Sequence, residues 1–378
     1  LGAATTGDGR NVAIGQGAMV ATTTGAYNVG IGESALGSNT TGGSNVAIGA
    51  TAGDAITTGS RNTLIGKDAG GSISTQDDCV FIGNLCGEAN TASSNTGVGQ
   101  QCLEVNSSGS ALTAVGKMAL EANTSGSYNT AMGHEAGRAN TSGAQNTLIG
   151  RNAGTSLTTG GTNTGVGDGT LGSVTSGTLN TAIGSDAGSN LASGASENTL
   201  LGASSKTGAT NSSHAIVIGS GITPTATNDK VTIGKPSNLI SNVFTSNATW
   251  ARVSDERKKK NIKEDTLGLD FINDLKTVTF EWKPNHEFPK HFRDYKETPE
   301  ENEMTTGLTL HGMVAQDVKA ALDKAGVDTF GGWSEDAEDG SQEIAQGMFV
   351  HPLIRAVQEL SAQVEELKQK SHTKCDKE

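Results

Sequence analysis

The chain has 378 residues and a formal net charge of −13, long enough for two or three domains and too acidic for non-specific nucleic-acid binding. No run of about 18 apolar residues exists, so no membrane-spanning helix is expected. The 52 glycines are not spaced every third residue, which excludes collagen.

The charges are unevenly placed: 23 of them lie in residues 1–245 and 44 in the last 133, and all three tryptophans fall at or after Trp250. Low apolar content in the first part would suggest disorder, but the apolar residues that exist are strictly placed. No secretory signal is visible, and the first residue is Leu1 rather than Met, as expected of a piece of a longer protein.

From the start the chain repeats. Asn11-Val-Ala-Ile-Gly15 returns at Asn28–Gly32, Asn45–Gly49 and Asn62–Gly66, and the glycine continues to Gly234. The step is about 17 residues, with slips near Gly99, Gly202 and Gly234, giving about 14 units. Ala69-Gly70 and Ala153-Gly154 mark a second half-motif, and Thr-Ser-Gly or Thr-Thr-Gly closes each unit.

So short a repeat holds no helical hairpin, but it holds short strands and turns. No unit has enough apolar atoms for its own core, so coils must stack, burying Val12 and Ile14 under Val29 and Ile31. Successive Asn residues at one corner would form a hydrogen-bonded ladder. At about 4.8 Å per coil the rod would be roughly 65–70 Å long. Apolar side chains on more than one flank imply that several chains pack around an axis. Aromatics are nearly absent and no close carboxylate pair recurs, which disfavours a carbohydrate-cleaving spike.

Cysteines 79, 86, 102 and 375 lack zinc spacing. Cys86 and Cys102 share one repeat position where other units mostly carry Ala. They read as small buried hydrophobes or as a disulfide between rungs. From Pro236 to Val253 the repeat dissolves into a neck.

Residues 254–378 change style. A short helix is predicted over Leu267–Leu275, a strand over Thr277–Trp282, a helix ending near Ala325 and an acidic loop from Asp323 to Gly347. Val350, Leu353, Val357, Leu360, Val364 and Leu367 then step by three and four, a coiled-coil seam. His286, His291, His311 and His351 read as packing or surface residues, and no metal or cofactor is expected. At the seam between the two styles stands Ser254, with Lys259 five residues on. By itself the pattern reads as a helix cap followed by a solvated lysine face.

The array resembles the repeat regions of bacteriophage tail fibres and, more distantly, the β-roll heads of trimeric autotransporter adhesins. That resemblance implies a parallel homotrimer. Residues 254–378 resemble the intramolecular chaperone domain of phage endosialidases and tail fibres, the peptidase S74 family. Its Ser-Asp-x-Arg-x-Lys-x-x-Ile run falls on Ser254, Asp255, Arg257, Lys259 and Ile262. A Gly-Met-Val-Ala-Gln-Asp-Val block at 312–318 and the terminal helix follow in the expected order. Lys258 stands where the family usually has Leu.

The resemblance implies a domain that trimerises, templates folding of the preceding fibre and cuts itself away at Val253–Ser254, with Ser254 and Lys259 catalytic. The chemistry is coherent. The Ser254 hydroxyl sits one small ring from the Val253 carbonyl, so proximity is covalently built in. It still needs a base, which a lysine can be once burial or like charges lower its pKa.

The expected architecture is a mostly β protein: a trimeric parallel β-solenoid or β-roll shaft over 1–235, a neck over 236–253, and a smaller α+β chaperone over 254–378 ending in a coiled-coil helix. The expected role is a segment of a virion tail fibre or spike that attaches to a host-surface receptor, glycan or protein. The rival reading is an uncleaved surface fibre or adhesin with a permanent trimerisation domain.

Overall fold

The computed structural model describes residues 9–225, 228–236, 238–243, 251–252, 256–298 and 309–375. The chain divides into two compact units, Leu1–Ser254 and Asp255–Glu378.

The first unit is a β-solenoid. Thirteen three-residue strands, from Val12–Ile14 to Ile216–Ile218, are followed by Lys230–Lys235, each parallel to the one before. Equivalent repeat residues stack directly: Val12 on Val29, Ala13 on Gly30, Ile14 on Ile31. The expected coil-on-coil stack is therefore present, but its inside and outside are exchanged.

The middle residue of each strand points inward, and Ala47, Leu64, Phe81, Ala114 and Leu148 are at most 1% exposed. Val12 and Ile14 are 46% and 59% exposed. Side chains alternate along a strand, so the Val and Ile positions share one face and the residue between them takes the other. Only one face can line the coil. The interior is thin, and its far wall is already supplied by Ala35, Leu36, Ala52 and Ile56 from the turns.

The Asn ladder is there. Asn45 N–H donates to Asn28 Oδ1 at 2.9 Å, and Asn45 Nδ2 donates across to the Gly59 carbonyl at 2.8 Å. Each buried carboxamide thus satisfies one backbone group of the next coil and one of the turn, as burial of polar groups requires. A second ladder, Asn90–Asn106–Asn123–Asn140, runs along the far wall, Asn123 Nδ2 donating to Asn106 Oδ1 at 2.8 Å. Other coils put Ile56, Ile73 or Leu157 at that place. In blocks of coils, the far wall is either polar or apolar.

Interior volumes are matched between neighbours. Phe81 fills its coil, and the next coil carries Gly97, where a Cβ would meet Phe81 Cδ1 at 3.0 Å and Cys86 Sγ at 2.8 Å. Other coils hold Leu64, Leu148 or Leu200 at this position. Gly97→Leu is therefore expected to destabilise the shaft by about 2–3 kcal/mol through overpacking, although it copies a residue the repeat uses elsewhere. Adding Phe81→Ala should recover most of that loss in thermal melts. Additive losses would show that the two positions do not share space.

At the C-terminal end the sheet continues beyond Pro236, where the sequence suggested only a neck. Asn238–Val243 returns antiparallel along Lys230–Lys235, and Ala251–Arg252 pairs antiparallel with Ile240–Ser241. Two antiparallel strands thus extend the edge of the parallel stack.

The second unit packs α1 (Leu269–Asp274), α2 (Ala315–Lys324) and the start of α3 (Val350–Cys375) around Leu267, Phe271, Val318, Leu322 and Phe349. Phe330 stands edge-on to Phe349, with ring centroids 5.2 Å apart. Val278–Phe280 pairs antiparallel with Leu310–Gly312. The segment read as an acidic loop contains a hairpin, Trp333–Glu335 on Gln342–Ile344. Its apolar ends, Trp333 and Ile344, pack on the core, and Gly340 at φ 73° makes its turn.

Candidate active site

Of the residues singled out at the seam, Val253, Ser254 and Asp255 lie outside the described residues. The structure resumes with a 3-10 turn, Glu256–Lys258, an acidic residue leading it and basic residues following. Lys259 N–H closes this turn on the Glu256 carbonyl at 2.9 Å. The backbone bond therefore holds Lys259 one tight turn from Glu256, itself two residues beyond Ser254. Arg257, Lys259 and Lys260 are exposed within one chain. Asn261, at φ 56°, adopts the left-handed conformation that Asn tolerates and turns the chain away. Ile262 is 61% exposed. A lysine base needs burial or crowding by like charges. One chain supplies the charges of the 257–260 run and leaves Lys259 in solvent.

The seam helix is continuous as expected, and α3 carries all six predicted residues. Val350, Leu353, Val357, Leu360, Val364 and Leu367 are 41–65% exposed, and Ile354 joins them at 52%. Its other side is committed to the domain: Ala356 is buried, and Arg355 and Glu359 face α1. One helix therefore docks by one face and presents an unpartnered apolar stripe on the other.

Linear patterns gave no sign of how α1 is held. It starts at Gly268 with no side-chain cap of its own. The Glu359 carboxylate, 90 residues on, accepts the Leu269 N–H at 2.8 Å and is steadied by Arg355 Nε at 2.9 Å. A Cβ on Gly268 would lie 2.4 Å from that carboxylate, so the carboxylate approach depends on the glycine. The hydrogen bond from Leu269, with Arg355 after it, holds the Glu359 carboxyl below the usual glutamate range.

A depressed folded pKa means that the contribution is fully present above the unfolded value and is lost as pH falls through the folded one. Acidification below about pH 4 is expected to loosen α1 from α3. Glu359→Gln should flatten that part of the near-UV signal's pH dependence. An unchanged profile in Glu359→Gln would show that other carboxylates carry it.

Arg293 is a second tie that sequence reasoning missed. Its N–H donates to Asp339 Oδ2 at 3.1 Å and its guanidinium pairs with Asp336, joining the 285–295 segment to the hairpin turn. Bonds from Ser341 and Arg293 hold the Asp339 carboxyl well below its ordinary range. An Asp-Gly step at 339–340 was the available signal for that turn.

Residues 254–327 match the peptidase S74 family, described as the chaperone of endosialidase. The match opens at Ser254 and runs through α1, the strand Leu310–Gly312 and α2. No curated protein and no solved structure matches the chain.

Proposed function

We propose that this chain is a segment of a phage tail fibre or spike whose C-terminal unit trimerises, aligns the shaft as it folds and then releases itself at Val253–Ser254. The carrying observation is that the chaperone-of-endosialidase match begins at Ser254, where the solenoid unit also ends. Two apolar surfaces support assembly of three chains. One is the α3 stripe. The other is the outer face of the shaft sheet, where Ile14, Ile48, Ile149, Ile183 and Ile218 stand 36–59% exposed, in register along the rod. Exposed stripes of this length on a single chain call for cover.

In the cutting step the Ser254 hydroxyl attacks the Val253 carbonyl while the Lys259 amine takes its proton. The Val253–Ser254 C–N bond breaks and its nitrogen is protonated. Water then adds to the Val253 carbonyl and the ester bond to Ser254 Oγ breaks, restoring the serine hydroxyl and leaving a carboxylate on the shaft and a free amine on the released unit. Lys259, exposed in one chain, would gain the burial it needs as the trimer forms, making cleavage conditional on assembly. The released shaft would serve attachment to a host-surface glycan or protein.

Mass spectrometry of the expressed product tests this reading. The expected result is two pieces separated by a cut at Val253–Ser254, the smaller of about 125 residues. Ser254→Ala and Lys259→Ala should each leave the chain whole. An intact wild-type chain in a stable trimer would instead favour a permanent trimerisation domain on an uncleaved fibre.

A further inference from the structure

Cys86 and Cys102 occupy the same place in consecutive coils, three residues after Gly83 and Gly99, where Ala35, Ala52, Ala69 and Ala119 stand in others. Both are fully buried free thiols. Their coils are hydrogen-bonded at that level: Gly87 N–H donates to the Cys102 carbonyl at 2.8 Å, as Gly70 N–H does to the Cys86 carbonyl at 2.9 Å. The two thiols are close enough for Cys86 to act on Cys102, and Cys102 Sγ also rests on the Ala114 carbonyl at 3.1 Å. Stacked coils about 4.8 Å apart fall within the roughly 4.4–6.8 Å Cα separation that a disulfide spans. Cys79 is placed differently, at the Asn corner, with its sulfur on the Asp77 and Ala92 carbonyls.

We propose that Cys86 and Cys102 are a redox-modifiable pair, oxidised to an inter-coil disulfide by a small-molecule disulfide such as oxidised glutathione, and that the shaft keeps whichever state it had when it closed. One cysteine thiolate attacks a glutathione sulfur and releases one glutathione as thiol. The second attacks the mixed disulfide, forms the Sγ–Sγ bond and releases the other. The protein loses two electrons and two protons, and the oxidant becomes two glutathione thiols.

Closure traps the state because exchange runs through thiolate and needs access. In the folded shaft the hydrogen bond from Cys86, with burial after it, pushes the Cys102 thiol far up. Neither sulfur can be reached from solvent. Exchange therefore belongs to the unstacked chain. The bridge would join coils beside the Phe81–Gly97 contact, in the one stretch where the step between repeat glycines shortens from 17 residues to 16.

Cell-free synthesis of the full chain in oxidised glutathione or in dithiothreitol tests the idea. After unfolding in iodoacetamide, glutamyl endopeptidase cuts at Glu88, between the two cysteines, and chymotrypsin at Phe81, between Cys79 and Cys86. Oxidative synthesis should give the 86 and 102 peptides joined and free of the alkyl group that each carries when reduced, with a melting temperature higher by about 5–10 °C. Cys86→Ala, which installs the residue of other coils, should melt alike in both buffers. Folded samples moved to the opposite buffer should keep their state for days. Alkylated Cys86 and Cys102 after oxidative synthesis, or a bridge to Cys79 or Cys375, would overturn the pairing. Ready exchange in the folded protein would overturn the trapping.

Discussion

A chain ending at Val253 is expected to yield at least about tenfold less protease-resistant, three-chain shaft than the full-length protein, with the balance aggregated or misaligned. The reason lies in the contrast between the two sides of the solenoid. Inside, the coils are individual. Phe81 requires Gly97 above it, and Met19 would meet a Cβ on Gly30 at 2.8 Å, so each chain has one favoured order of coils. Outside, they are interchangeable. Ile14, Ile31, Ile48, Ile65 and Ile82 follow one another at the same position, and later coils carry Val, Met, Leu or Ile, so sliding one chain past another by one coil replaces one aliphatic side chain with another.

Register is weakly specified wherever a slip restores the same contacts. Interior packing cannot correct it, because each solenoid encloses a core made of its own side chains. An aligning element must act from outside the repeat, and the 255–378 unit is the non-repetitive body available. Light scattering with limited proteolysis reads the outcome. Truncated chains that refold in full yield to aligned three-chain rods would remove the need for a chaperone.

Gly133→Ala should destabilise the shaft by about 4 kcal/mol or more, an effect out of proportion to one methyl group. Gly133 ends its strand at φ 142°, a conformation open in practice to glycine alone. A Cβ there would lie 2.4 Å from the Gly150 carbonyl oxygen and 2.5 Å from its carbon, both backbone atoms of the next coil. No rotamer relieves that contact. The two coils must part, and parting breaks the N–H donated by Gly150 to the Met132 carbonyl at 2.7 Å.

The same strand-end glycine meets the next coil from Gly15 to Gly219, so the same cost is expected along the shaft. Gly71→Ala is the control. A Cβ at Gly71 meets nothing closer than 3.6 Å, and its φ is ordinary, so the cost should stay within about 0.5 kcal/mol. Guanidinium melts of the two variants check the pair. Equal midpoints would mean that coil stacking tolerates what the backbone geometry forbids.

The period of the repeat was legible because the strand-end glycine is obligatory, and an obligatory residue leaves its spacing in the sequence. The Asn ladder was legible for a similar reason: one side chain type bonds two backbone groups at a fixed corner. The α3 stripe could be read from its three-and-four spacing alone. Alternation along Asn-Val-Ala-Ile-Gly was equally plain, yet it names two faces without saying which is inside. Apolarity pointed to Val and Ile. The structure chose the residue between them, Ala47 in one coil and Leu64 or Phe81 in others, because the turns fill the far wall and leave room for one strand side chain per coil.

Local pattern, then, determined the repeat, its strands and the switch to a second style at Ser254, since backbone sterics and periodicity act between neighbours in sequence. Tertiary structure alone decided the buried face of the sheet, the pairing of Phe81 with Gly97, the capping of α1 by Glu359 and the Arg293 tie. Each of these depends on which distant atoms compete for one volume or one hydrogen bond, and spacing along the chain carries no record of that.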